Sequence, residues 1–262
     1  MVTDTPHLAR IWNYWLGGED YFPVDRQAGD RLSQAYPMVV DAAREIQHFV
    51  TRVVTRLAGD EGIRQYLDIG GGLPMVGETH QVALRIAPDS KVVYVEDGRL
   101  VPGHARELLS GGPDGATRYV EASFRAPADI LSAASQTLDL SRPLALLLLG
   151  VAGVLGNDQE MSYVIRQLMR AAAPGSCLVL AEGSAASPSM AAVAGQYAET
   201  GAKIYYLREP QRLEQLFDGL QLVSPGVVPT RDWHPAQPPA RPDGDEGEAE
   251  AYSYCGVGRK PA

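Results

Sequence analysis

Cysteine is scarce in this chain: there are two in 262 residues, Cys177 and Cys255, each inside an apolar stretch that reads as a strand. Two residues cannot build a disulfide framework or a cysteine-based zinc site, so they read as buried, reduced thiols. Histidine is also thin. His7, His48, His80, His104 and His234 show no metal-ligand spacing, and no metal is expected. Long apolar runs are missing. The longest, Leu144–Leu149, is far shorter than the ~20 residues that cross a bilayer. Thr3, Asp4, Pro6 and His7 interrupt the N-terminus, so no secretory leader is read there. Positive charge is short as well, with a formal net charge of -9. An acidic chain repels a phosphate backbone, which argues against nucleic acid as a partner. Part of that acid is concentrated between Asp243 and Glu250. These absences leave a soluble, cytoplasmic protein whose expected partner is a small molecule rather than nucleic acid or a membrane.

What is present is one α/β domain's worth of alternating pattern. The first sixty residues read as helical. A first helix follows Pro6 and carries Leu8, Ile11, Trp12, Trp15 and Leu16 on one side, ending at Gly17-Gly18. A second is expected from Asp25 to Tyr36, and a third from Val39 to Ala58. Strands then alternate with helices. Strands are expected at Arg64–Ile69, Lys91–Glu96, Thr117–Glu121, Leu144–Leu149 and Ser176–Glu182. Helices are expected at Glu78–Ile86, Leu100–Leu109, Ala128–Ala134 and Gln159–Ala172. This order predicts a doubly wound, mostly parallel sheet with ligands at the carboxyl ends of its strands. Helices at Ser187–Glu199 and Pro210–Phe217, and strands near Leu220–Val223 and Tyr252–Val257, complete the chain. His234–Glu250, rich in Pro, Gly and acid, is expected to be a mobile surface loop.

Two features carry chemistry. Leu67-Asp68-Ile69-Gly70-Gly71-Gly72 is an apolar strand running into an acid and three glycines. Glycines allow a sharp turn and let backbone N–H groups approach a ligand. Glu96 follows Val92-Val93-Tyr94-Val95, 26 residues after Gly70. An acid at that strand tip can accept from both ribose hydroxyls of a nucleoside. Together they point to an adenosine-containing cofactor.

The chain resembles an actinobacterial family of proteins with the S-adenosylmethionine (SAM)-dependent methyltransferase fold. The strings that carry the resemblance span nearly the whole chain: HLARIWNYWLGGEDYFPVDRQAGDRL, GIRQYLDIGGGLP, APDSKVVYVE, LDLSRPLALLLL, APGSCLVL and YCGVGRK. It implies a Rossmann-like sheet binding SAM, covered by an N-terminal helical lid over residues 1–60, with the sheet domain in 61–262. It implies a cofactor set of Asp68, Gly70, Gly71, Gly72, Glu96, Asp97, Ser123, Phe124 and Gly150. The chain departs from the family pattern at several ligand-facing positions. Gly71 and Met75 stand where members carry threonine, and Glu78 stands for asparagine. Ser123 replaces the carboxylate that should face the adenine amino group. Ala152-Gly153-Val154 replaces Leu-His-Phe, and Glu182 replaces a histidine at the end of the fifth strand.

Candidates for a base or proton shuttle are Glu182, Tyr14 and His48, with His7, Asp20 and Tyr205 behind them. Glu182 is the best placed, at a strand tip that opens onto the cleft. Helix packing accounts for Trp12 and Trp15, whereas Tyr14, Tyr21 and Phe22 are the candidates to line a substrate pocket. Three readings follow: methyl transfer to a small, natural-product-like acceptor in secondary metabolism; a cyclase or isomerase that no longer uses SAM; and a ligand-binding pseudoenzyme.

Overall fold

The computed structural model describes residues 5–70, 78–96, 116–199, 205–235 and 250–262. Gly71, Gly72, Met75, Asp97, the expected helix Leu100–Leu109 and most of the acidic loop lie outside the described residues.

Three helices come first: α1 (Leu8–Trp15), α2 (Pro23–Ala35) and α3 (Met38–Gly59). Then follow β1 (Gln65–Ile69), α4 (Thr79–Ile86), β2 (Lys91–Glu96), β3 (Thr117–Glu121), α5 (Pro127–Ala134) and β4 (Ala145–Leu149). A short 3-10 turn, Ala152–Leu155, leads into α6 (Asp158–Ala171), β5 (Cys177–Gly183) and α7 (Pro188–Glu199). The chain ends with α8 (Pro210–Gln215), β6 (Gln221–Leu222), β7 (Val228–Pro229), a second 3-10 turn and β8 (Ser253–Arg259).

The eight strands form one sheet in the order β3-β2-β1-β4-β5-β8-β6, with β7 also on β8. The strands β1 to β5 run parallel, and β8 is antiparallel to β5. All five parallel strands therefore end on one edge. The run Leu146-Leu147-Leu148 lies mid-sheet because both faces of β4 are covered. Alternation divides the buried side chains into two layers. Ile69, Val95, Leu148 and Leu180 face α5, α6 and α8. Tyr66, Tyr94, Leu147 and Val179 face α3 and α4 through Phe49, Val53 and Val82. Helix α3 is thus a layer of the core, while α1, α2 and α7 form a third cluster around Ile11, Leu32, Val193 and Tyr197.

Helix α1 starts at Leu8, two residues later than Pro6 would set it. His7 is the cap, its ring accepting from the Ala9 N–H at 3.3 Å. Its polar face is buried too. Arg10 pairs with Asp25 of α2 at 2.6 Å, both out of solvent, and Asn13 accepts from the Asp20 N–H at 2.9 Å. Asp25 also accepts from the N–H groups of His7 and Phe22. A buried charge so bonded fixes α1 against α2, since breaking such a pair costs about 3–5 kcal/mol. Cys177 and Cys255 are free and buried. Cys255 lies opposite Ala181, four residues along β5 from Cys177. That spacing is roughly 13 Å, well beyond disulfide reach.

Candidate active site

The glycines at the strand tips are required first by the protein itself. Gly70 has φ +72°, and a Cβ there would lie 2.4 Å from Val151 in the loop after β4. Its N–H bonds the Val95 carbonyl at 2.8 Å. Close approach at this turn is therefore to Val151 as well as to any ligand. Gly150 has φ +69°, and a Cβ there would lie 3.2 Å from the Trp12 indole. Helix α1 thus crosses the tip of β4.

Beside these turns sits a buried acidic group. Asp68 shares a strand row with Tyr94 and Leu147, so its carboxyl is held among apolar neighbours. Thr79 donates to Asp68 Oδ2 at 2.6 Å, while Oδ1 has no hydrogen-bond partner among the described residues. Burial pushes Asp68 up to about 7; the Thr79 bond and His80 oppose the rise, and Glu78 adds to it. Glu78, the N-cap of α4, lies 3.2 Å from His80 Nδ1. His80 also contacts the Tyr94 hydroxyl at 2.9 Å. Burial, with Glu78 and Asp68, raises the Tyr94 phenol well above its ordinary value. Glu96 is buried at the last position of β2. The roles of Thr79 and Tyr94 had no sequence signal beyond their places beside the glycine turn and on β2.

A second acid lies across the sheet edge. Glu182 continues the Leu178–Leu180 row and points to the α6 side. Its Oε1 accepts from the Ala152 N–H, and Oε2 accepts from the Tyr205 hydroxyl and, at 3.3 Å, from the Gly153 N–H. Burial pushes Glu182 up to about 7 against the Tyr205 bond, the Arg208 charge and the two amides. The Tyr205 ring lies directly on Gly153, where an added Cβ would be 2.6 Å from it. Segment 205–208 is tied further to this loop. Tyr206 N–H bonds the Gly153 carbonyl at 3.0 Å, and Arg208 bonds the Gly156 carbonyl and Asp158, each at 2.9 Å. The resemblance implies histidine at Gly153 and at Glu182; in this chain the two residues touch and form one arrangement with Tyr205.

On the opposite side of the β5 tip, Gly183 faces an apolar cavity of about 50 Å³. Its walls include Trp12, Trp15, Ile46, Met190, Tyr197 and Tyr205. Helix α1 therefore offers its tryptophans to the cavity, and Tyr14, Tyr21 and Phe22 are not among its described wall residues. Tyr14 donates to Asp30 at 2.5 Å and meets the edge of Tyr21, closing α1 onto α2. The Asp30 bond raises its pKa and so keeps the phenol protonated. Phe22 lies under the Arg10 guanidinium.

Other candidates also move. His48 is exposed on α3, two residues from the cavity-lining Ile46 and so near the opposite face of the helix. It is not among the cavity's described wall residues. Glu182 turns its carboxyl away from the cavity and has both oxygens engaged, so it holds the loop and Tyr205 instead of facing a substrate. Phe124 is buried in the core layer of α5 and α6. Ser123 is exposed, its hydroxyl accepting from the Arg125 N–H at 3.3 Å.

The family model described as S-adenosyl methyltransferase matches residues 1–261. The chain belongs to the S-adenosyl methyltransferase family. A Streptomyces avermitilis protein of the DUF574 family is 37% identical, with 99% of each chain covered and a TM-score of 0.90. A Thermobifida fusca protein proposed to be a methyltransferase is 35% identical, with 98% of this chain and 96% of that one covered and a TM-score of 0.89. Human N-acetylserotonin methyltransferase in complex with SAM shares the fold at 14% identity and a TM-score of 0.51, over 90% of this chain and 57% of that one. None of the curated proteins matches the chain.

The family's cofactor is SAM and its general chemistry is SAM-dependent methyl transfer. The described residues of this S-adenosyl methyltransferase fit that group. Asp68 keeps a buried oxygen without a donor among the described residues, which suits an ammonium group. Glu96 places a second carboxyl at the neighbouring strand tip.

Proposed function

We propose that this chain transfers the SAM methyl group to a compact, apolar, natural-product-like small molecule held beneath α1. The observation that carries this reading is the apolar cavity at the β5 tip, walled by Trp12 of α1, which also packs on Gly150 at the β4 tip. Bound SAM supplies a methyl group on a sulfonium, open to displacement by an aligned nucleophile.

The chain's own residues divide the remaining work. Asp68 offers Oδ1 to the cofactor's ammonium, and Glu96 accepts from its ribose hydroxyls. Helix α1 acts as the lid, excluding water from the cavity; the Arg10–Asp25 pair keeps it seated. Among the described residues the cavity wall holds no carboxylate and no imidazole. Alignment is then the main contribution, which suits an acceptor nucleophile that needs no strong base. Among the described residues no helix is long and apolar enough to cross a membrane. With two buried free thiols, a cytoplasmic location belongs to the same reading.

The test uses SAM labelled with ¹³C at its methyl group and the full chain in solution. Nuclear Overhauser contacts from that methyl to ring protons of Trp12 or Tyr205 are expected. Bound SAM without any contact to the cavity wall would remove the acceptor assignment.

A further inference from the structure

Glu182, Gly153 and Tyr205 come from β5, the loop after β4 and the segment before α8, yet they converge on one point. The Tyr205 ring rests on Gly153, which has no room even for a methyl group. Its hydroxyl donates to the buried Glu182 carboxyl, which also accepts from the loop amides of Ala152 and Gly153. A ring pressed on a glycine and bonded at its far end has a single position. The other side of that ring is a wall of the apolar cavity.

We propose that Tyr205 is the specificity-determining wall of the acceptor pocket, with Gly153 and Glu182 as the positioning residues that hold it. This rests on the acceptor reading above and adds the class of group that enters. The cavity is about 50 Å³, whereas an apolar protein cavity of about 150 Å³ takes benzene. The pocket as held therefore admits a small aliphatic group and excludes a six-membered aromatic ring. The backbone of the segment is anchored independently, through Tyr206 N–H on Gly153 and Arg208 on Gly156 and Asp158. Removing the Tyr205 ring opens space without releasing the segment.

The experiment titrates xenon and then benzene into full-length protein labelled at leucine and valine methyls, read by NMR. In the parent, xenon shifts the Leu8, Val39 and Val193 methyls that line the cavity, and benzene leaves them unmoved. In Tyr205→Ala, benzene shifts the same methyls, with affinity at least about tenfold above the parent. Tyr205→Leu keeps more packing and should change benzene binding in the same direction. Tyr205→Phe and Glu182→Ala keep the ring but remove its bond, and both should give intermediate benzene binding. Equal benzene binding in the parent, Tyr205→Ala and Tyr205→Leu would overturn the role of Tyr205. Complete benzene exclusion in both Tyr205→Phe and Glu182→Ala would overturn the positioning role. The acceptor reading fails separately: benzene entering Tyr205→Ala while the SAM methyl shows no contact with the cavity leaves a gated cavity unconnected to methyl transfer.

Discussion

Replacing Gly153 by alanine puts a methyl carbon 2.6 Å from Cε2 and Cζ of Tyr205. Ordinary carbon contacts lie at ~3.5–4.0 Å, so the ring must retreat by roughly 1 Å. The ring cannot do so and keep its hydroxyl on Glu182, because the carboxyl is itself fixed by two loop amides. Overpacking of this kind costs about 1–3 kcal/mol, and loss of a hydrogen bond to a charged group costs about 1.5–3 kcal/mol. The two costs overlap, since retreat relieves one by incurring the other, and a net destabilisation of about 2–4 kcal/mol is expected. Urea unfolding of Gly153→Ala, Tyr205→Ala and the double variant forms a complete cycle. In the double variant the added methyl has no ring to strike, so the Gly153→Ala penalty should fall below about 1 kcal/mol. A Gly153→Ala cost under about 0.5 kcal/mol, or strict additivity in the cycle, would refute the packing argument.

Glu96→Ala should weaken S-adenosylhomocysteine at least about tenfold in calorimetry with a nearly unchanged Tm; unaltered affinity would falsify the ribose assignment. Stability should fall as pH rises from about 4 to about 7. The reason is that burial raises the folded-state pKa of Asp68 and Glu182 to about 7 from ordinary values of 3.8 and 4.5, so the folded state binds more protons in that window. Urea midpoints should show this slope, and Asp68→Asn and Glu182→Gln should each flatten it; an unchanged slope in both would count against the burial argument. If Asp68 pairs with the cofactor's ammonium, S-adenosylhomocysteine affinity should rise over the same window, and Asp68→Asn should remove the dependence. Ser123→Asp should tighten SAM several-fold by restoring a charged acceptor for the adenine amino group; an unchanged or weaker Kd would show that adenine does not lie at that turn.

The parts of this structure that were legible in the sequence are those governed by local period. The alternation of strands and helices, the central leucine strand and the glycine turn after Asp68 follow from short-range pattern. Strand β7, two residues long, is too short to carry a period, whereas β6 falls inside the strand expected near Leu220–Val223. On α1, spacing identifies an apolar stripe but not its neighbour. The Arg10–Asp25 ion pair turns Trp12 and Trp15 toward the cavity, and the Tyr14–Asp30 bond draws Tyr14 to α2. At His48 the helical assignment holds, but its angular position relative to Ile46 leaves it in solvent. The Gly153–Glu182–Tyr205 contact joins residues 23 to 52 positions apart. Each is visible alone as an unusual residue, and only the parallel pairing of β4 with β5 shows that they are one unit.

The proposed transfer requires SAM at the carboxyl edge with its reactive methyl toward the cavity beneath α1. The decisive experiment is a crystal structure of the full chain with S-adenosylhomocysteine. The expected result is the ribose on Glu96, the ammonium on Asp68 and the sulfur facing the cavity walled by Trp12 and Tyr205. A ligand bound with its sulfur turned away from that cavity, or bound without Asp68 and Glu96, would contradict it.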